Sequence, residues 1–397
     1  RRIRFHPGPE SKEARRPEQA GPARSDPLPG PRKRAKPLPR KPAKLNSGNR
    51  PNRTPEAAGH RWPHKAQAMN FDIARQPIIP AFVTLLLVAG VASVAPTAAP
   101  EAVAPLSQLD GWLLDFEQSA PVWSRVMSFV LLLWAGLLTG RITVRYGLYA
   151  TNSCVAIPLF GIAAACAWPA AGLVGAVTLL LLALSTHNFC RSFRNGYAFD
   201  NIFRAGLYLG LVPLVYLPAA PLMLLLPAAV VLLKRTLREL TVTLAGMLLP
   251  LLTACYLNWA TSAPFDAPLQ QAVELFTHND GMHLWNLPWP ALLLPGALLL
   301  LDIASLAAYL NSVYSVGFKA RGILALAGCM LLLTVAVALL PCATSVALLL
   351  CALPTALLAP FLLVRMHYAL SLALYTLLLV WALAAPYLWA QLTAALR

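Results

Sequence analysis

Long apolar segments alternate with short polar ones between residues 77 and 390. Runs such as Ala291 to Leu301 contain no charged residue, and a helix of ~20 predominantly apolar residues is long enough to cross a bilayer. The apolar runs, together with the turn residues and charges between them, predict about eleven membrane-spanning helices. Their approximate positions are 77–95, 122–141, 152–168, 171–187, 201–217, 219–233, 240–259, 287–309, 323–340, 344–363 and 368–390. We therefore predict an all-α fold, a polytopic transmembrane helix bundle.

The amino-acid composition agrees with this pattern. Of the 397 residues, 58% are hydrophobic and 12% are charged, whereas a soluble globular domain has ~25% charged residues. The mean hydropathy of the chain is +0.60. This composition excludes an ordinary cytosolic enzyme.

The positive charges predict the orientation of the spans, because Lys and Arg near span ends are retained on the cytoplasmic side. With the amino end inside, twelve of the fourteen Lys and Arg residues after residue 68 fall on the inner side, and only Arg125 and Arg397 fall outside. A missed or invented helix would disrupt this distribution. We therefore predict a cytoplasmic amino end and a multi-pass protein of a bacterial inner membrane, with membrane lipids as partners.

The first 68 residues form a basic, proline-rich tail that carries +13 of the formal charge of +16. Its lack of apolar periodicity predicts disorder. Clustered Lys and Arg would suit an arm for nucleic acid or anionic lipid, but Met69 leads directly into the first apolar span, as the start of a membrane protein does. We interpret residues 1–68 as an overextended start, expect no nucleic-acid partner, and assign the transmembrane domain to residues 69–397.

Several familiar catalytic motifs are missing from the sequence: the phosphate-binding loop, the His-Glu-x-x-His zinc helix and the Gly-x-Ser-x-Gly nucleophile elbow. Their absence argues against an ATP-driven pump or a membrane metalloprotease of familiar type. The seven cysteines show no Cys-x-x-Cys spacing, which is typical of packing residues. Gly136 with Gly140, and Gly206 with Gly210, form Gly-x-x-x-Gly patterns that favour close helix packing.

Asp302 is a carboxylate inside an apolar span. Such a group costs a few kcal/mol unless it is protonated, paired or solvated, and it therefore indicates function by default. Asp302 is a candidate proton or cation site on the pathway of a transporter. The alternative is that Asp302 hydrogen-bonds Ser305 or a neighbouring helix and only fixes packing.

The first outer segment, between Pro105 and Pro121, alternates apolar residues with carboxylates and predicts an amphipathic helix lying on the outer surface. Asp110 or Asp115 is a candidate general base or ligand of a divalent cation, and Arg125 at the start of the next span is a candidate phosphate-binding residue. The alternative is a solvated acidic face.

The second outer segment contains two imidazoles around a carboxylate, His278, Asp280 and His283, which are candidate metal ligands. The spacing of five residues does not place both histidines on one helical face, so a loop would have to bring them together. The cytoplasmic segment at residues 186–206 is polar and aromatic, and is a candidate contact for a lipid headgroup or a partner protein.

The segment after the fourth predicted span resembles a family of bacterial inner-membrane proteins known as a domain of unknown function. The resemblance covers about residues 75 to 264. The residues that carry it are Asn152, Arg191-Ser-Phe-Arg-Asn195, Ala198-Phe199, Arg204-Ala-Gly-Leu-Tyr-Leu-Gly210, the proline-containing hairpin at 218–221, Arg235, Arg238, Glu239, Gly246 and Pro250.

Automatic labels name some members of that family beta-carotene monooxygenases, which implies an iron held by about four histidines. Outside the tail, this chain has only His187, His278, His283 and His367. The predicted topology separates the first and last from the other two by a ~30 Å core. We therefore discount an iron-dependent oxygenase.

A looser architectural likeness is to polytopic glycosyltransferases that use polyprenyl-phosphate-linked sugars and carry an acidic catalytic residue in the first outer segment. This likeness implies outward-facing transfer of a lipid-linked group in envelope biogenesis, with Asp110 or Asp115 as the base. Fold analogy does not fix function, so two alternatives remain: a solute or proton-coupled transporter that uses Asp302, and a non-enzymatic scaffold for envelope assembly.

Overall fold

The computed structural model describes residues 76–94, 108–149, 153–193, 198–262, 264–277 and 289–395. Within these ranges every regular element is a helix, as the sequence predicts. The α-helices are α1 (Ile78–Val94), α2 (Gln108–Ser119), α3 (Pro121–Tyr146), α4 (Ala156–Ala165), α5 (Trp168–Arg191), α6 (Phe199–Val215), α7 (Leu225–Leu232), α8 (Leu237–Ala260), α9 (Ala267–Thr277), α10 (Trp289–Asn311), α11 (Phe318–Ala338), α12 (Ser345–Leu350), α13 (Ala352–Leu363) and α14 (Tyr368–Ala395).

Seven helices in the described part of the chain are long and apolar enough to cross a membrane. They are α3, α5, α8, α10, α11, the continuous pair α12 and α13, and α14. Shorter apolar helices occupy Ile78–Val94, Ala156–Ala165 and Leu217–Leu232, the last beginning as a 3₁₀-helix. The chain therefore has the helices of a membrane protein.

Helix α4 is shorter than a typical membrane-spanning helix. Its ten residues extend ~15 Å at 1.5 Å per residue. All ten residues are buried, and α4 packs against α1, α3 and α13. A short helix is tolerated at membrane depth where surrounding protein covers its ends.

Helices α3 and α5 run parallel. The ring of Phe129, in the first half of α3, lies 6.4 Å from the ring of Trp168 at the start of α5. The ring of Tyr146, at the end of α3, lies 6.4 Å from that of Phe193, just after the end of α5. The two helices therefore end on the same side of the bundle.

Helices α6 and α8 approach each other at backbone distance. A Cβ atom added at Gly206 would lie 2.3 Å from the carbonyl oxygen of Thr243, and one at Gly210 would lie 2.2 Å from that of Met247. On the facing helix, a Cβ at Gly246 would lie 2.5 Å from the carbonyl oxygen of Phe203. The Gly206–Gly210 pattern is thus a packing interface, as its spacing predicts.

Candidate functional site

The buried carboxylate of Asp302 lies on α10 and is 1% exposed. Its Oδ2 atom accepts a hydrogen bond of 2.6 Å from the hydroxyl of Thr355 on α13. Ser305, one turn further along α10, donates instead to the carbonyl oxygen of Leu358. Of the two partners anticipated for Asp302, the neighbouring helix is therefore the one that binds it.

Helices α10 and α13 are joined by further contacts at nearly the same offset in sequence. The rings of Tyr309 and Phe361 meet edge to face with their centroids 5.9 Å apart. Near the ends of the helices, Arg365 donates to the hydroxyl of Ser312. Because the residue numbers rise together on both sides, the two helices run parallel and in register.

A cavity of ≈ 320 Å³ extends along α10 beside Asp302. Leu292 and Leu339 lie toward one end of it, and Asp302 with Thr355 lies at the other. The ten-residue distance from Leu292 to Asp302 corresponds to ~15 Å of helix. Beyond Asp302, Ser305 and Tyr309 are bonded to neighbouring elements and fill the space. Asp302 therefore lies at the closed end of this cavity.

The cavity offers no positive charge to Asp302 from its lining. The other described lining residues are apolar apart from Thr355 and two thiols, Cys166 and Cys351. The Oδ1 atom of Asp302 is buried and has no hydrogen-bond partner among the described residues. A carboxylate in such surroundings is tolerated when it is protonated or paired with a cation. The site can therefore hold a proton or a positively charged ligand.

The predicted amphipathic helix in the first outer segment corresponds to α2, which carries Asp110 and Asp115. Asp115 is exposed. Asp110 lies on α2, and its side chain is outside what the structure describes. Five residues of helix turn ~500°, so the two positions lie on different faces. Arg125 acts electrostatically on Glu117.

Glu117 is a partly buried carboxylate that our sequence reading did not select as a site residue. Its Oε2 atom accepts a hydrogen bond of 3.4 Å from the N–H of Leu173 on α5. Gly172, at φ 56° and ψ −150°, kinks α5 there, and its missing side chain leaves room for the carboxylate. Burial raises the pKa of Glu117 above its usual 4.5, while the Leu173 N–H and the charge of Arg125 act in the opposite direction.

A second cavity, of ≈ 470 Å³, lies between α2, α6, α8 and α9. Its walls are mostly apolar, including Leu109 and Trp112 from α2 and Leu207 from α6. Asn258 and Gln271 contribute polar atoms where α8 and α9 meet. A mostly apolar cavity of this size can hold part of a lipid chain.

The candidate metal ligands His278, Asp280 and His283 lie outside the described residues. Within the described ranges, no group of three or more His, Cys, Asp or Glu side chains is arranged to hold a metal ion.

Sequence reasoning found Asp302 but missed Thr355 and Glu117. A lone charge in an apolar run is conspicuous, whereas threonine is common in apolar helices and bonds its own backbone there. Glu117 carries a weak signal, since it is one of several carboxylates in its segment. What distinguishes Glu117 from the other carboxylates is its contact with Gly172, which lies 55 residues further along the chain.

The chain was compared with protein-family models, with curated proteins and with solved structures, and none of the three comparisons finds a match.

Proposed function

We propose that the protein is a membrane transporter in which Asp302 binds a proton or a cationic solute at the closed end of the α10 cavity. The observation that supports this proposal is the environment of the carboxylate: Oδ2 accepts a hydrogen bond from Thr355, Oδ1 is buried without a partner among the described residues, and Asp302 lines the cavity. The ≈ 320 Å³ cavity beside the carboxylate leaves space for a ligand.

The proposal includes eleven spans with the amino end inside, in a bacterial inner membrane. The helices α1, α4, α6 and the segment Leu217–Leu232 then count as spans although they are short. In this orientation α10 runs inward, so the end of the cavity at Leu292 lies on the outer side of Asp302. Asp302 then lies near the middle of the membrane, where a carboxylate that faces a cavity is typical of a substrate or ion pathway.

The test uses the full chain reconstituted in liposomes, with electrical currents recorded on a supported membrane. A pH jump alone tests proton binding, and choline, tetraethylammonium and tetraphenylphosphonium test cationic solutes. We expect wild-type currents in at least one arm and a loss of at least tenfold in Asp302→Asn. Asp302→Glu is expected to retain part of the current, because the longer side chain keeps the charge.

The matched control is Asp200→Asn, which removes an exposed carboxylate that pairs with Arg204 one turn away. This variant is expected to keep the wild-type currents. Equal currents in wild type and Asp302→Asn in every arm would overturn the proposal.

A second candidate function is outward-facing transfer of a polyprenyl-phosphate-linked group, with Asp110 or Asp115 as base. It is supported by the ≈ 470 Å³ groove, whose α2 wall is formed by Leu109 and Trp112 on either side of Asp110. The only Lys or Arg near these carboxylates in the outer segments is Arg125, so a divalent cation would be needed to join a phosphate to them.

Mass spectrometry of lipid-linked intermediates separates the two functions. If this transfer occurs, a deletion strain accumulates a precursor that wild type and Asp302→Asn remove and Asp110→Asn or Asp115→Asn does not. Unchanged lipid profiles would exclude the transfer and leave the transporter proposal intact.

A further inference from the structure

The ends of α3 and α5 form a cluster of three arginines and a histidine, which we call the basic cluster: Arg141 and Arg145 on α3, and His187 and Arg191 on α5. The spacing of four residues on each helix places both members of a pair on one face. The two helices end side by side, since the rings of Tyr146 and Phe193 meet there. All three arginines lie close enough for their charges to act on His187.

The basic cluster has no acidic partner within the described ranges. At this end of the bundle, the described carboxylates are Asp200 and Glu239, and each is bound to another arginine: Asp200 to Arg204 and Glu239 to Arg235. The Nε2 atom of His187, which is 7% exposed, and the Nε atom of Arg191 are buried without a hydrogen-bond partner among the described atoms. Within the described ranges, no carboxylate therefore neutralises the positive charge of the cluster.

The surface leading to the basic cluster is apolar. Along α3, Val130, Trp134 and Leu137 are exposed at intervals of four and three residues, and Arg141 and Arg145 continue the same stripe. Val144, between the two arginines, is also exposed. A stripe of this kind along a membrane helix faces lipid tails, and its cationic end lies where headgroups are.

We propose that the basic cluster binds the phosphate of an anionic phospholipid whose acyl chain lies along the exposed stripe of α3. The continuous surface matches both parts of such a molecule: apolar residues for the chain, and guanidinium groups that bind phosphate through several N–H donors. In the proposed orientation the cluster faces the cytoplasmic leaflet, whose anionic lipids attract basic residues near the surface. A soluble phosphate would bind only the arginines and would leave the apolar stripe of α3 unused.

The test measures binding of dioleoylphosphatidylglycerol to the full chain in detergent micelles, by native mass spectrometry and by thermal stabilisation. Dioleoylphosphatidylcholine is the neutral comparison lipid. We expect wild type to prefer the anionic lipid and the variant Arg145→Gln/Arg191→Gln to bind it about thirtyfold more weakly, since each of the two basic residues near a membrane surface contributes ~1 kcal/mol. Added salt is expected to weaken the wild-type preference.

Two controls keep the outcome interpretable. Arg238→Gln removes an exposed inner arginine outside the cluster and is expected to leave the preference unchanged. Arg145→Lys/Arg191→Lys keeps the charge and is expected to bind with intermediate affinity; helical circular dichroism verifies that each variant is folded. Equal lipid binding by wild type and the glutamine variant, or stabilisation by inorganic phosphate without any preference for the anionic lipid, would overturn the proposal.

Discussion

Glu117 and Gly172 illustrate how a single side chain is fitted to a kink. Gly172 adopts a positive φ of 56°, and a Cβ atom there would lie 2.4 Å from Oε1 of Glu117. The kink frees the N–H of Leu173, which donates to the same carboxylate. Because L side chains rarely adopt this backbone conformation, glycine is required both for the angle and for the space. The pair thus attaches the surface helix α2 to the start of the regular part of α5.

The raised pKa of Glu117 predicts a pH-dependent stability. Burial is the largest cause and exceeds the opposing effects of Leu173 and Arg125. Because the folded protein then binds the proton more tightly than the unfolded chain does, this contribution to the free energy of unfolding is complete below pH 4.5 and is lost as the pH rises through the folded-state pKa. Thermal unfolding in detergent between pH 4 and pH 8 is expected to show this loss in wild type and a flatter profile in Glu117→Gln.

The control for this measurement is Asp115→Asn, which removes an exposed carboxylate two residues away on the same helix. Its profile is expected to follow that of wild type. A Glu117→Gln variant with the full wild-type pH dependence would show that other groups are responsible.

Among the helices, α6 and α8 pack backbone to backbone, and this contact leaves no space for side chains. Gly206 and Gly210 on α6 each face a carbonyl oxygen of α8, and Gly246 on α8 faces one of α6. Carbonyl oxygens in a helix are fixed by the helical hydrogen bonds and cannot rotate away. Added atoms must therefore separate the two helices.

Substitution of Gly210 by alanine is expected to destabilise the protein by roughly 1–3 kcal/mol, the usual cost of overpacking a tight contact. The new Cβ would lie 2.2 Å from the carbonyl oxygen of Met247. The measurement is the thermal unfolding midpoint in detergent, which should fall.

Gly90→Ala is the matched control, because Gly90 lies in α1 with nothing within 4 Å of the added atom. Alanine favours a helix over glycine, so this midpoint should stay constant or rise. Equal losses in the two variants would contradict the assigned contact.

The spacing of Gly206 and Gly210 predicts a packing face, but the sequence does not say which helix packs on it. The periodicity of apolar residues shows which face of a helix is packed only when the opposite face is polar. Membrane helices are apolar on most sides, so this signal is missing. Gly246 forms no Gly-x-x-x-Gly pair in the sequence, so its role appears only when α6 and α8 are seen together. For the same reason, Asp302 could be selected from the sequence while Thr355 on α13 could not.

For the whole molecule, the helical class and the membrane character follow from apolar run length alone. The run lengths do not predict how each helix lies in the membrane. Helix α4 has the composition of a membrane span, but its ten residues are enclosed by other helices. Burial inside a bundle and exposure to lipid favour the same apolar side chains, so composition does not distinguish them. The number of crossings is accordingly harder to predict than the number of helices.

The proposed orientation predicts opposite labelling of two exposed positions. Arg238→Cys, at the start of α8, should lie inside, and Asp266→Cys, just before α9, should lie outside. A membrane-impermeant maleimide applied to intact cells is expected to modify the second variant alone. Permeabilised cells should show both modifications.

The native cysteines in the described chain are buried or partly buried, so we expect them to react little with the maleimide. Labelling of the wild-type protein measures this background. Labelling of Arg238→Cys but not of Asp266→Cys in intact cells would reverse the orientation, and labelling of both would require a different number of crossings between them.

The register between α10 and α13 constrains how the cavity can change shape. Contacts at Asp302, Ser305, Tyr309 and Ser312 recur along one side of α10, so sliding either helix by one turn would break all of them together. We therefore expect the two helices to move together as one unit. If Asp302 is exposed in turn to the two sides of the membrane, as the proposed transport requires, the motion is expected to come from the other walls of the cavity, α4, α11 and α12.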